Sequence, residues 1–263
     1  MADYVGVIKK HMRPYLSSLA DDMKQRRSVD FFWPNGTQIY CGEQGSGKTI
    51  SAVKHMLDLK LRYPKALIVS NLNLHYFRKR TFTTELELKS VMSDFNKREE
   101  YIFFSSMDEL ALALVGVNNG FYGVIYLIDE IHTYFNALDS MNIPMYVFTE
   151  ISQQRKQRKV IIGTSQLFMR MAKPFREQCD NLIKCRTFFG ILTFQKAYDG
   201  MTLNVNYDGS LSGNKKKSGF FFHNRYIRGA FDTYQKVVSG VEQYEQIQRL
   251  EITGKKGKPI KIG

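Results

Sequence analysis

The sequence contains few cysteines. Its 263 residues include three, Cys41, Cys179 and Cys185, and none of them forms a CxxC pair or lies at zinc-ligand spacing from a histidine. An odd number of scattered cysteines argues against a disulfide framework and against a structural metal site. We therefore expect three reduced thiols in the protein core.

Long apolar segments are also lacking. The run Val124–Ile128 contains five apolar residues, whereas a membrane-spanning helix needs about 20. The first 15 residues, MADYVGVIKKHMRPY, lack the apolar core of a signal peptide. These absences predict a cytoplasmic protein without an integral membrane segment.

Acidic residues are outnumbered by basic ones, 25 to 38, which gives a net charge of +13. Two segments concentrate the basic residues: QQRKQRK at 153–159 and GNKKKSG at 213–219. Clustered positive charge indicates a polyanionic partner such as nucleic acid, although lysines that only keep the surface solvated are the alternative. The candidate nucleic-acid contacts are Lys156, Lys159, Lys215, Lys216 and Lys217.

The order of the predicted elements is typical of an α/β protein. TQIYCG predicts a strand, and apolar residues recur at helical spacing from Lys48 until RYPK. A second helix is predicted from Thr84 to about Phe95. Further strands are predicted at ALIVSN, YIFFSS, VIYLID, KVIIGTSQ and NLIKCRTFF. Apolar strands that alternate with helices predict a mainly parallel sheet covered by helices.

Residues 42–49, GEQGSGKT, match the GxxxxGK[ST] pattern of phosphate-binding loops between a predicted strand and a predicted helix. Backbone N–H groups of such a loop surround phosphate oxygens, Lys48 reaches the β and γ phosphates, and Thr49 ligates Mg²⁺. We expect ATP and Mg²⁺ to bind here, although no motif distinguishes ATP from GTP. The predicted nucleotide-binding residues are Gly42, Glu43, Gln44, Gly45, Ser46, Gly47, Lys48 and Thr49.

Two acidic residues follow the apolar run VIYLI. Asp129 is predicted to hold Mg²⁺ and Glu130 to orient and deprotonate the attacking water. Adjacent acids, without a separate aspartate to activate an acceptor, favour hydrolysis over kinase chemistry. The alternative is that both acids only cap a following helix, IHTYFNAL.

Polar residues also follow the run KVIIG. Gln166 is a candidate sensor of the γ-phosphate or of the attacking water, although polar strand ends are common. Arg155 and Arg158 precede the same strand. Either is a candidate arginine finger for a neighbouring subunit, and a solvated basic surface is the alternative.

The sequence changes in character toward both ends, which predicts four segments. Residues 1–30 are basic with scattered apolar positions, which predicts an N-terminal helical extension. A P-loop ATPase core is predicted at 31–190. After Gly190, turn signals and aromatic runs predict a β-meander with a basic loop at 191–240. A basic tail is predicted at 241–263.

Five segments, GEQGSGKT, ALIVSNLNL, VIYLIDEIHTYF, QQRKQRKVIIGTSQ and LIKCR, resemble in this order the zonula occludens toxin-like (Zot) ATPases of phages. Those ATPases belong to the FtsK–HerA group of P-loop motors, and the resemblance covers about residues 38–186. It implies a RecA-like (ASCE) sheet with strand order 5-1-4-3-2. It also implies a homo-oligomeric ring, commonly a hexamer, with ATP between subunits and DNA moving through the centre.

The resemblance extends to individual residues. Lys48 and Thr49 match the family's phosphate-loop pair, Asp129 and Glu130 match its magnesium and catalytic acids, and Gln166 matches its polar strand-4 residue. Arg155 and Arg158 occupy the region where such motors often place their arginine finger.

Two features depart from the family pattern. No apolar run of membrane-spanning length follows the ATPase segment, and 41 residues precede Gly42. The first departure favours the soluble relatives that package viral genomes into preformed capsids. The second suggests an element that docks on a capsid or clasps the next subunit.

The leading prediction is therefore an ATP-hydrolysing translocase that packages single-stranded or double-stranded viral DNA. It would act in the host cytoplasm or with the virion, and its partner would be a portal or capsid-vertex protein. The first alternative is a motor for phage extrusion or conjugative DNA transfer with a separate membrane partner. The second is a switch or DNA-binding scaffold in which ATP only governs assembly.

Overall fold

The computed structural model describes residues 28–232, except 139, 140, 142 and 206–210. The predicted basic tail, and the predicted helical extension apart from residues 28–30, lie outside the described residues. The strands are β1 (Gly36–Cys41), β2 (Leu67–Ser70), β3 (Arg78–Thr81), β4 (Glu100–Phe103), β5 (Val124–Ile128), β6 (Lys159–Ser165), β7 (Cys179–Phe188), β8 (Leu192–Asp199), β9 (Asn204–Val205), β10 (Leu211–Ser212) and β11 (Lys215–Phe222). The α-helices are α1 (Lys48–Arg62), α2 (Glu85–Ser93), α3 (Met107–Gly116), α4 (Met145–Ser152), α5 (Lys173–Arg176) and α6 (Arg225–Arg228).

Nine strands form one sheet in the order β11-β8-β7-β1-β6-β5-β2-β4-β3. All pairs from β7 to β3 are parallel, whereas β8 and β11 add to the β7 edge in antiparallel orientation. Counted from the phosphate-loop strand, β7-β1-β6-β5-β2 is the order 5-1-4-3-2. This order confirms the predicted fold class, a RecA-like P-loop NTPase with a mainly parallel sheet.

Helices cover both faces of the sheet because its central strands are apolar on both sides. Every residue of β2, β5 and β6 is buried. On one face α1 packs against residues such as Ile162, and on the other α2, α3 and α4 pack against residues such as Ile161. No helix among the described residues is long and apolar enough to cross a membrane.

Several local features differ from the sequence-based predictions. The segment after Glu130 forms only a 3-10 turn, Ile131–Thr133, so the described residues there contain no α-helix for the two acids to cap. The three lysines of KKKS lie at the start of β11 rather than in a loop. Strand β3, sequence RKRT, was not predicted because its exposed basic residues carry no apolar alternation.

The antiparallel β7-β8-β11 meander confirms the β-rich character predicted after Gly190. Its strands continue the main sheet instead of forming a separate one. The domain boundary at residue 190 therefore stays a prediction.

Candidate nucleotide site

The glycine-rich segment 42–47 joins β1 to α1. Gly47 has φ 83°, and a Cβ at this position would lie 2.3 Å from Thr187 Oγ1 and 2.6 Å from Thr193 Oγ1. Only glycine fits this conformation and this close approach. Helix α1 begins directly at Lys48, and no side chain caps its first N–H groups in the described structure. Those N–H groups point toward an anion-binding position at the terminus of a helix of 15 residues.

Two side chains in the loop suit a phosphate ligand. The Lys48 side chain is buried, and its Nζ donates a hydrogen bond to the Glu43 carbonyl oxygen at 3.1 Å. The buried Ser46 Oγ has no hydrogen-bond partner among the described residues. A buried ammonium and an unpartnered hydroxyl are costly unless a ligand engages them, so these residues fit a bound phosphate chain.

The cavity beside the loop has a volume of about 590 Å³. The residues that line it include Lys48, Thr49, Asp129 and Glu130. The structure therefore brings together four of the residues that the sequence proposes for phosphate, Mg²⁺ and water.

Asp129 directly follows β5 and is buried. Its Oδ1 accepts hydrogen bonds from Thr49 Oγ1 at 2.8 Å and from Thr164 Oγ1 at 2.7 Å. Burial raises the pKa of the Asp129 carboxyl, while the two hydroxyl donors oppose this effect. Hydroxyl and carboxylate oxygens are the ligand types that Mg²⁺ prefers, so Thr49 and Asp129 fit such a cation.

Glu130 has a left-handed backbone conformation with φ 48°. Its N–H donates to Thr164 Oγ1 at 2.9 Å, so this one hydroxyl group positions both acids. The Glu130 Oε2 atom is buried and makes no hydrogen bond within the described residues, although His132 Nδ1 lies 3.3 Å away. Burial lowers the pKa of His132. Glu130 lines the cavity and its side chain is 23% exposed, so its carboxylate can accept a proton from a water held there.

Asn71, which follows β2, holds the backbone of Asp129 from a neighbouring strand. Its Nδ2 donates to the Asp129 carbonyl oxygen at 2.9 Å, and its Oδ1 accepts from the Asp129 N–H at 2.8 Å. All of these groups are buried. The asparagine therefore pairs two backbone groups that would otherwise be unsatisfied, and it fixes the direction of the acid.

Replacing Asn71 by alanine is expected to lower the free energy of unfolding by about 2–4 kcal/mol, because each buried backbone group left unpaired costs roughly 1–3 kcal/mol. Urea denaturation followed by circular dichroism measures this change. Asn35→Ala is the matched control, since the exposed Asn35 amide donates to the Trp33 carbonyl oxygen two residues away. Equal stability of Asn71→Ala and Asn35→Ala would show that the pairing of the Asp129 backbone contributes nothing.

Gln166 does not line the cavity that contains Lys48 and Glu130. Its exposed side chain lines a separate cavity of about 800 Å³ behind the phosphate loop, together with Glu43 and Ser46. The polar residue of β6 that contacts the acids is Thr164. Thr164 lies two places earlier, inside the strand that pairs with β5, whereas Gln166 lies beyond the end of that strand. The sensor role of Gln166 stays a prediction.

The basic segment before β6 lies at the amino ends of the parallel strands, whereas the phosphate loop lies at their carboxyl ends. The prediction that Lys159 contacts nucleic acid is wrong, because Lys159 is only 2% exposed and its Nζ donates to the Leu114 carbonyl oxygen. Burial lowers the pKa of Lys159 to about 8. The Arg158 guanidinium lies 4.4 Å from the Phe31 ring centroid, which engages it within its own chain.

Arg155 and Lys156 are exposed. A role for Arg155 or Arg158 in a neighbouring subunit, and a DNA contact by Lys156, stay predictions.

The three lysines at the start of β11 are exposed. Lys216 is engaged within the chain: its Nζ lies 3.2 Å from Asp199 Oδ1 and donates to Asn181 Oδ1 at 3.0 Å. The roles predicted for Lys215, Lys216 and Lys217 in nucleic-acid binding stay predictions.

Residues from the β-rich addition complete the cavity wall, and no local sequence pattern pointed to them. Thr187 and Thr193 hydroxyls lie 2.6 Å apart, and Thr193 Oγ1 lies 2.7 Å from His223 Nε2. Arg228 also lines the cavity, and its guanidinium donates to the Gly190 carbonyl oxygen. Strand pairing brings the two threonines to the phosphate loop, whereas Arg228 reaches the cavity from α6.

A family model described as Zonular occludens toxin (Zot) matches residues 36–203, which is more than half of the chain. No curated protein matches the sequence.

The solved structures similar to this one include the following three. The N-terminal domain of zonular occludens toxin from Neisseria meningitidis shares 11% identical residues with a TM-score of 0.49, covering 75% of this chain and 98% of that domain. The genome packaging NTPase B204 from Sulfolobus turreted icosahedral virus 2, in complex with ATP-gammaS, shares 13% with a TM-score of 0.48, covering 68% and 96%. The DNA-packaging ATPase B204 from Sulfolobus turreted icosahedral virus shares 12% with a TM-score of 0.47, covering 67% and 95%. The strand order, rather than these similarities, carries the assignment of the fold.

Proposed function

Because this chain belongs to the zonular occludens toxin (Zot) family, we propose that it is an ATP-hydrolysing motor that translocates DNA. One observation carries the enzymatic part of this proposal. Thr49 and Thr164 both donate to Asp129, and Thr164 also accepts from the Glu130 N–H. Both acids and Thr49 line the same cavity as Lys48. Such a set can bind a polyphosphate, hold a divalent cation and activate a water.

Each residue has a separate task in hydrolysis. The Lys48 ammonium exchanges its hydrogen bond with the Glu43 carbonyl for one with a phosphate oxygen, and the loop N–H groups surround the phosphates. Mg²⁺, held by Thr49 and Asp129, would neutralise charge on the phosphates. The Glu130 carboxylate accepts the proton of the attacking water, and Thr164 keeps the Glu130 backbone in place. Arg228 faces the same cavity and adds positive charge.

We propose that the motor translocates DNA because the chain carries a net charge of +13, which favours a polyanionic substrate. The more specific proposal is that subunits form a ring, with Arg155 or Arg158 serving a neighbouring site, and that the ring packages a viral genome. The same site would equally drive phage extrusion or conjugative transfer. The partner distinguishes these functions: a capsid-vertex protein captured from infected cells would support packaging, and a membrane protein would support extrusion.

The direct test is steady-state ATP hydrolysis with and without long DNA, offered as single-stranded circles and as duplex. We expect hydrolysis to rise at least several-fold with one of the two forms. The same preparation should displace an annealed or triplex-forming oligonucleotide from that DNA with ATP, and not with a non-hydrolysable analogue. A rate of hydrolysis that neither form of DNA changes would contradict the proposed motor function and favour a nucleotide-dependent switch.

A further inference from the structure

From Lys184 onward, β7 and its partners β8 and β11 have one face against α1 and an opposite face whose side chains are mostly exposed. Cys185 and Ala197 pack with the α1 side of the core. The cross-strand register places three rows of three residues on the other face. The rows are Phe188–Leu192–Phe222, Arg186–Phe194–Phe220 and Lys184–Lys196–Ser218. We call this surface the aromatic face and define it by Phe188, Phe194, Phe220 and Phe222 with Lys184, Arg186 and Lys196.

The phenyl rings of the aromatic face are contiguous and open to solvent. Their exposed fractions are 37% for Phe188, 42% for Phe194, and 63% each for Phe220 and Phe222. Successive ring centroids lie 5.5, 5.8 and 6.2 Å apart along this series. A contiguous apolar patch of this kind on a surface marks a binding site more often than a structural feature.

Positive charge accompanies the rings. The Arg186 guanidinium lies 5.0 Å from the Phe188 ring centroid, and Lys184 pairs directly across the strands with Lys196. Like charges opposite each other destabilise a sheet, and an anion bound between or above them would relieve the repulsion. The nine residues of the three rows, all within the described ranges, include no aspartate or glutamate. The face therefore suits a ligand that has both flat apolar groups and negative charge.

We propose that the aromatic face binds single-stranded nucleic acid, whose bases stack on the four rings and whose phosphates pair with Lys184, Arg186 and Lys196. This inference rests on the proposed function, since it names the form of DNA that the motor contacts. A duplex cannot use the rings, because its base faces are already stacked. Protein–protein interfaces are enriched in aromatic residues and arginine but depleted in lysine, so it is the pair Lys184 and Lys196 that favours nucleic acid over a protein partner.

The position of the aromatic face connects it to the nucleotide site. Thr187 lies between Arg186 and Phe188 in the sequence, and Thr193 directly precedes Phe194. Both threonines lie against the phosphate loop on the opposite side of the same two strands. A shift of the β7–β8 hairpin on nucleotide binding would therefore move the aromatic face directly.

The test measures fluorescence anisotropy of a labelled oligo(dT) of roughly 20 nucleotides and of a duplex of equal length, without ATP. Replacing both Phe194 and Phe220 by alanine should weaken single-strand binding at least about tenfold, because stacking on one ring contributes roughly a factor of 5–150. Replacing both by tyrosine should retain binding. Tyr146→Ala removes a 51% exposed ring on α4 and is the matched control.

Two further measurements complete the test. Arg186→Gln should lower the slope of log affinity against log salt, whereas the phenylalanine variants should leave that slope unchanged. Circular dichroism and thermal midpoints check that the variants fold.

Unchanged single-strand affinity of the double alanine variant would overturn the proposal. An equal loss for the duplex, or a loss accompanied by dissociation of the oligomer in analytical ultracentrifugation, would also overturn it and assign the face to duplex or subunit contacts. Binding is measured without hydrolysis, so the two proposals can fail separately. If the rings prove unnecessary for single-strand binding but DNA still stimulates ATPase activity, the proposed motor function is unaffected. Single-strand binding that depends on the rings, with no ATPase response to DNA, would support the aromatic face and contradict the motor.

Discussion

Replacing Lys48 by alanine is expected to weaken ATP binding at least roughly 30-fold and to remove measurable hydrolysis. The Lys48 side chain is only 6% exposed and lies at the first residue of α1, close in sequence to the unpartnered Ser46 hydroxyl. Without its ammonium, phosphate charge would enter a desolvated cavity with one cation fewer. Truncating one partner of a buried, hydrogen-bonded charge pair costs about 2–5 kcal/mol, which corresponds to this loss of affinity.

Isothermal titration calorimetry with ATP and Mg²⁺ measures the effect. Lys54→Ala is the matched control, because it removes a lysine from the same helix. The Lys54 ammonium forms an i,i+4 ion pair with Asp58 and does not line the nucleotide cavity. We expect its ATP affinity to stay near that of the unaltered protein. Binding by Lys48→Ala within about threefold of the unaltered protein, or about 0.7 kcal/mol, would place the phosphates elsewhere.

Replacing Glu130 by glutamine is expected to lower kcat by about 10²–10⁴ while ATP binding remains. Loss of a positioned general base costs a factor of this size. The amide has nearly the same shape, and the backbone N–H that donates to Thr164 Oγ1 is unchanged, so Asp129 should stay in position. The substitution separates binding from chemistry in a way that Lys48→Ala does not.

Single-turnover hydrolysis and calorimetry on the same preparation measure both parts of this expectation. Glu85→Gln makes the same chemical change at an exposed acid on α2, and it should retain full activity. If Glu130→Gln hydrolyses ATP at the normal rate, another group must activate the water. If the variant loses ATP binding instead, Glu130 contributes to ATP binding in the ground state, and its assignment as the general base is wrong.

Local sequence was sufficient to predict the parts of the site that are formed by residues close together in the chain. The loop 42–49 contains its own glycines, lysine and threonine, and the strand and helix around it follow from short-range apolar periodicity. The same reasoning located Asp129 at the end of β5, because a run of five apolar residues predicts a buried strand. Short-range signals also located the start of α2, since Thr84 caps the helix with its side chain.

Tertiary pairing decided which other residues reach the site. Asn71 and Thr164 contact the acids because β2 and β6 flank β5, and no local pattern encodes that adjacency. Gln166 lies beyond the end of β6 and lines a different cavity. Lys159 belonged to a basic run by sequence, yet its side chain enters the protein and bonds to a carbonyl in α3.

Contiguous residues were enough to specify the phosphate loop, the position of the acids and the RecA-like class, because glycine conformations, helix spacing and apolar strands are local properties. The cavity wall of Thr187, His223 and Arg228 and the composition of the aromatic face emerge only from the folded chain. Cross-strand register between β7, β8 and β11 places Thr187 and the phenyl rings, and register depends on pairing between distant segments. A shift of one residue would exchange the two faces, and the rings would point at α1 instead of at solvent.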